Sequence, residues 1–78
     1  MSHVSHDLNE EFPQHGERIR TLKMNDNHFA RLAERYHDVN RAIHRAEVEV
    51  EPTSDDFLEE LKKQRLRLKD EIATMLLA

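Results

Sequence analysis

The chain has 78 residues with a formal net charge of -4, 36% charged residues, few aromatics and no cysteine. That length allows one domain with a thin core, which rarely supplies more than roughly 3–5 kcal/mol without a disulfide or metal. Interleaved acidic and basic residues give no global pull toward nucleic acid or anionic membrane, and the lack of cysteine removes thiolate nucleophiles, disulfides and cysteine metal sites.

Residues 1–12 read as a polar, irregular and flexible tail, with neither the basic nor the apolar region of a secretion signal. Phe12 is biased away from helical dihedrals by Pro13, which itself suits the first position of a helix. The spacing then predicts a short helix over about 13–24, with Ile19 and Leu22 on one side and Gly16 weakening its first turn. Asn25-Asp26-Asn27 favours a cap or kink, because short polar side chains compete for backbone hydrogen bonds.

From Phe29 the apolar residues recur in steps of three and four through Leu32, Tyr36, Val39, Ile43, Ala46 and Val50, the signature of a helix packed along one seam. This predicts a helix over about 27–49, ended by Val48-Glu49-Val50-Glu51 and closed by Pro52. Thr53-Ser54-Asp55-Asp56 starts the next helix, over about 54–77, with a hydroxyl cap and two carboxylates in its positive first turn. Its seam residues are Leu58, Leu61, Leu68, Ile72 and Met75. The short connection favours an antiparallel pair, and residue numbers summing to about 104 join Ile43 to Leu61, Tyr36 to Leu68, Leu32 to Ile72 and Phe29 to Met75. The same register sets Val39 against Arg65, which must reach the rim or serve a second subunit. The expected fold is therefore all-α: residues 13–78 form a coiled-coil-like antiparallel helical hairpin preceded by a short N-terminal helix.

The motifs exclude more than they assign. With Gly16 the only glycine there is no phosphate-binding loop, and a two-helix seam offers no dry concavity for an activated nucleophile, so no enzyme, cofactor or catalytic residue is expected. Adjacent carboxylates such as Glu10-Glu11, Asp55-Asp56 and Glu59-Glu60 point to different helix faces or cap turns. Six histidines are the compositional oddity: His37 and His44 share a face seven residues apart. Nothing else at converging spacing completes a metal site, and the others are scattered, so no metal is expected. The run from Lys62 to Lys69 is the candidate basic patch. Lys62, Arg65 and Lys69 share one flank and Lys63 and Arg67 another, with Glu59, Glu60, Asp70 and Glu71 close enough to neutralise them as a solvated face. Since this helix carries no aromatic residue to stack bases apart from Phe57, nucleic acid is disfavoured as a partner.

Glu11-Phe12-Pro13, Ile19, Leu22-Lys23, His28-Phe29-Ala30-Arg31-Leu32 and the stretch Leu61-Lys62-Lys63-Gln64-Arg65-Leu66 running into Leu68-Lys69-Asp70-Glu71-Ile72 resemble the YdcH-like family of small bacterial proteins. The resemblance spans Phe12 to Leu76, and it implies a cytosolic bacterial helical hairpin with no activity and no functional residue to carry over.

The functional expectation is a non-enzymatic, cytoplasmic interaction or adaptor module, with a nucleic-acid-associated protein using Lys62, Lys63, Arg65, Arg67 and Lys69 as the alternative. No run is apolar enough for a membrane span. Ile19, Leu22, Met24, Leu66, Leu76 and Leu77 are not absorbed by the seam, and each fully buried Leu, Ile or Met is worth roughly 1.5–3 kcal/mol. The expected solution is a homo-oligomer, a two-fold dimer with Leu22, Leu66 and Leu76 in one patch and Leu77 beside it. Fold-back of the first helix over Leu76 and Leu77 is the alternative.

Overall fold

The computed structural model describes residues 6–48 and 54–78. The expected helix end at Glu49–Pro52, the Thr53 start signal, Val50 and His3 lie outside the described residues. Among these residues there is no strand, and the chain runs through α1 (Leu8–Glu11), a 3-10 turn (Pro13–His15), α2 (Gly16–Asn25), α3 (Asn27–Val48) and α4 (Asp55–Leu77).

The helix ends follow from local chemistry. Asp26 alone separates α2 from α3: its extended backbone ends α2 while its N–H returns to Leu22 O at 2.8 Å. Its carboxylate Oδ1 accepts from Phe29 N at 3.1 Å, so one residue closes one helix and caps the next. Ser54 Oγ accepts from Phe57 N at 3.1 Å, and Asp55 and Asp56 follow in the first turn of α4.

α3 and α4 pack along their lengths as the helical hairpin. Their seam buries Phe29, Leu32, Ala33, Tyr36, Asn40 and Ile43 from α3 and Leu61, Ile72 and Leu76 from α4. The central contact differs from the expected Val39–Arg65 pair. Asn40 is fully buried and its Oδ1 accepts from Arg65 Nη1 at 2.8 Å, while Val39 is half-buried. Half-buried Arg65 thus finds a partner within its own chain; the polar residue beside Val39 takes the seam because it can satisfy the guanidinium there.

The remaining elements fold back over the open end of this hairpin. Ile19 of α2 joins a buried cluster with Leu8, Phe29, Leu32, Tyr36, Ile72 and Leu76, and Leu22 packs against it. Arg18 fixes α2 to the end of α4: Nε donates to Leu76 O at 3.0 Å, and Nη2 reaches Ala78 O at 3.3 Å and Met75 O at 3.5 Å. α4 has no basic residue in its own last turn, so a cation from another helix satisfies the free carbonyls and opposes the negative helix end.

The reading of residues 1–12 as a polar, irregular tail fails for 8–12. Leu8 to Glu11 form a helical turn with Leu8 buried in the cluster, and Phe12 packs against it. Leu8 and Phe12, four residues apart, both find cover on the cluster, which gives this short segment its apolar anchor.

Candidate interaction surface

The four apolar residues expected to form one patch have two different fates. Leu76 is buried within the chain itself, and Leu22 is half-buried against the same cluster. Leu66 and Leu77 remain 58% and 73% exposed. Eleven residues and about 16 Å apart on α4, they project within about 20° of each other on the side facing away from the seam, with exposed Asp70 between them. Met24 of α2 is also exposed.

The five basic residues also divide, and three of them are engaged by partners on other elements. Arg65 holds Asn40; Lys62 Nζ lies 3.6 Å from Glu47 Oε2; Lys69 Nζ lies 3.5 Å from Glu11 Oε2 and 6.0 Å from the centre of the Phe12 ring. Lys63 and Arg67 are exposed on the other flank. Lys62, Arg65 and Lys69 line, with His6, Tyr36 and Leu66, a cleft of about 220 Å³ between α4 and the segment preceding α2. The cleft is thus a junction of positive flank, apolar edge and an incoming acidic segment.

His6 positions that segment. It adopts a left-handed backbone (φ 65°), its carbonyl accepts from Tyr36 Oη at 2.5 Å, and its Nδ1 donates to Glu11 Oε1 at 2.8 Å. The His6 hydrogen bond holds the Glu11 carboxyl below its ordinary value; burial opposes this and Lys69 adds to it. The Tyr36 hydroxyl, by contrast, is pushed up to about 12, first by burial and then by Glu11, with Arg65 opposing.

Among the described residues no group of three or more His, Asp or Glu is placed to hold a metal ion. His37 Nδ1 instead lies 3.8 Å from Asp7 Oδ1. No described helix is long and apolar enough to cross a membrane.

The pairing of α3 and α4 along one seam is where the chain meets known proteins. DUF465, described as a protein of unknown function, matches residues 29–76. The chain belongs to this family. The DUF465 match begins at Phe29, the first buried residue of α3, and ends at Leu76, the last of α4, so it coincides with the hairpin. It agrees with the YdcH-like resemblance over a narrower span than Phe12–Leu76. Residues 6–12 and α2, which cover the open end, lie outside the matched stretch. No curated protein and no solved structure matches the chain. No catalytic family is indicated for DUF465.

The contributions that sequence reasoning missed are Asn40, Arg18 and the segment from His6 to Phe12. Asn40 could have been found as a residue on the buried arc of α3, one position from Val39. Arg18 had a weaker signal, the absence of any cation in the last turn of α4.

Proposed function

We propose that this DUF465 chain is a non-enzymatic protein-interaction module, an adaptor that presents the outward face of α4 around Leu66 to a protein partner. The observation that carries the reading is the exposure of Leu66 and Leu77 on one side of α4, with Lys62, Lys63 and Lys69 around Leu66, on a helix whose other side is already sealed by the hairpin. Exposed Leu66 among lysines suits a partner helix that brings an apolar residue beside a carboxylate. A second copy meeting the first through Leu66 and Leu77 is the simplest closed assembly, and it no longer requires Leu22 or Leu76.

The alternative, nucleic-acid association through the basic face, has less support. Arg65, Lys62 and Lys69 each have a partner within the chain, leaving Lys63 and Arg67 as the freer cations of the run. Retention on DNA or RNA that weakens steeply above about 50 mM salt would favour it.

The test compares the full chain with Leu66→Glu by light scattering after size exclusion, and by co-purification of untagged protein from its own cells. The expected result is a partner, a second copy or another protein, held by the wild type and lost in Leu66→Glu at unchanged helicity. Identical assembly and identical co-purifying proteins in both would refute the reading.

A further inference from the structure

The segment from His6 to Phe12 is itself a small ligand seated on the hairpin. It carries the carboxylates Asp7, Glu10 and Glu11 and the apolar residues Leu8 and Phe12 within residues 7–12. Leu8 is buried, Phe12 lies against Lys69, and Glu11 meets Lys69 at 3.5 Å. Tyr36 Oη holds the His6 carbonyl at 2.5 Å, a contact to backbone that reads position and not side-chain identity. The segment fills only one side of its seat: the cleft of about 220 Å³ continues past it to Lys62, Arg65 and Leu66.

We infer that the face of the hairpin lined by Tyr36, Lys62, Arg65, Leu66 and Lys69 is a docking groove for an acidic amphipathic protein segment, with residues 6–12 as a resident strap that such a partner displaces. The inference rests on the proposed role of α4 and gives its partner a chemistry. The strap shows what the groove accepts: a carboxylate for Lys69, an aromatic ring beside that ammonium and a carbonyl for Tyr36, while Leu8 anchors the strap in the buried cluster outside the groove. Charge complementarity selects the same class at Lys69, which already meets a strap carboxylate, with Lys62 and Arg65 on the same flank of α4 held by Glu47 and Asn40. A partner segment longer than the strap gains contacts the strap leaves unmade, to Lys62 and to exposed Leu66.

Tethering sets the threshold. A segment joined to its seat by a short connection acts at an effective concentration on the order of millimolar, so a free competitor sees only the fraction of molecules with the strap lifted. Weakening the strap must therefore raise the apparent affinity for a segment of the same chemistry, even though no residue of the groove has changed.

A fluorescein-labelled peptide with the sequence of residues 6–15 is the probe, titrated by anisotropy into the full-length chain, its Leu8→Ser variant and the double variant Leu8→Ser/Lys69→Glu. The expected result is binding about tenfold tighter to Leu8→Ser than to the wild type, and loss of that binding in the double variant. No binding to a Leu8→Ser chain of wild-type helicity, or equal binding with and without Lys69, overturns the inference. Glu11→Gln loosens the strap from its surface side without touching the cluster, so it decides the matter if Leu8→Ser melts the chain: no gain in peptide affinity in Glu11→Gln overturns the groove. A peptide that binds none of these variants, while the Leu66→Glu effect on assembly persists, overturns the groove and leaves the α4 reading standing. Strap-dependent peptide binding without any Leu66 effect does the reverse.

Discussion

The two ends of the hairpin are built differently. At the open end, α2 and the strap lie over α3 and α4, and the buried cluster of Leu8, Ile19, Phe29, Leu32, Tyr36, Ile72 and Leu76 fills the space between them. Toward the tip only α3 and α4 remain among the described residues; Ile43 and Leu61 are buried there, while Val48 and Phe57 stay largely in water. The Asn40–Arg65 hydrogen bond sits between the two regions. Two helices can cover one line of side chains, but enclosing a large aromatic residue from all sides needs a third element. The contrast assigns stability to the open end and leaves the rest of α4 available for contact.

The largest expected effect is at the enclosed end. Phe29→Ala removes a fully buried ring and should cost about 3–5 kcal/mol, comparable with all the stability a chain of this size holds. The variant should be unfolded or nearly so by circular dichroism at room temperature. Leu61→Ala at the tip should fall at or below the lower end of the ~2–5 kcal/mol range for such truncations, because exposed neighbours can relax into the space. Equal losses at the two positions would show that the core is not concentrated at the open end.

The polar layer between the ends is next. Arg65→Met leaves the buried Asn40 Oδ1 without its guanidinium and should cost about 1–3 kcal/mol in urea unfolding. Asn40→Leu combined with Arg65→Met should recover most of that loss, since replacing both partners by apolar groups is close to neutral. Hydrogen exchange in the double variant should rise around Ile43 and Leu61, because the contact that fixes the register of α4 against α3 is gone. Single and double variants of equal stability would mean that the layer is solvated and does not divide the two regions.

The regular parts of this architecture were legible in the sequence because they are periodic. Phe29, Leu32, Tyr36 and Ile43 on α3, and Leu61 and Ile72 on α4, are all buried as their spacing implies. Asn40 was not, since a polar residue is taken for a surface one until its partner is known, and that partner lies 25 positions away. The strap escaped for a related reason: one leucine in a polar stretch has no period, and its burial depends on a surface that only the folded hairpin and α2 create. The basic run shows the same limit. Its five cations are plain in the sequence, but Asn40, Glu47 and Glu11, which engage three of them, come from three other elements. Leu22 and Leu76 were rightly seen as needing cover, and their own chain supplies it.

Smaller effects probe the attachments of the open end. Arg18→Met should cost up to about 1 kcal/mol, the usual worth of a cation at a helix C-terminus, and should make α2 more sensitive to protease than α3. The strap should make stability depend on pH at both extremes. Glu11 has a folded value below its ordinary 4.5, so its contribution is present above that pH and is lost as pH falls through the folded value. Tyr36 has the opposite sign: raised from 10.0 to about 12, it stabilises fully below pH 10, and that contribution is lost as pH rises through about 12. Tyr36→Phe should flatten this alkaline limb while leaving the acid limb of Glu11 in place. An unchanged alkaline limb in Tyr36→Phe would show that the hydroxyl is not held as described.

Leu66→Glu should have the smallest effect on the isolated chain. The side chain is 58% exposed, and substitutions on an open surface usually change stability by no more than about 0.5 kcal/mol. Concentration turns this weak effect into a discriminating one. Any assembly that binds only the folded chain adds stability by mass action, so a wild type that pairs through α4 must become harder to unfold as its concentration rises. Leu66→Glu should coincide with the wild type in dilute solution, stay there at high concentration, and so separate from it as the wild-type urea midpoint climbs. Midpoints that coincide at every concentration would mean that a second copy does not use this face, which would then be left to a partner of different sequence. A Leu66→Glu chain already destabilised in dilute solution would mean that the residue belongs to the enclosed end after all, and that the division between a sealed end and a presenting face is misplaced.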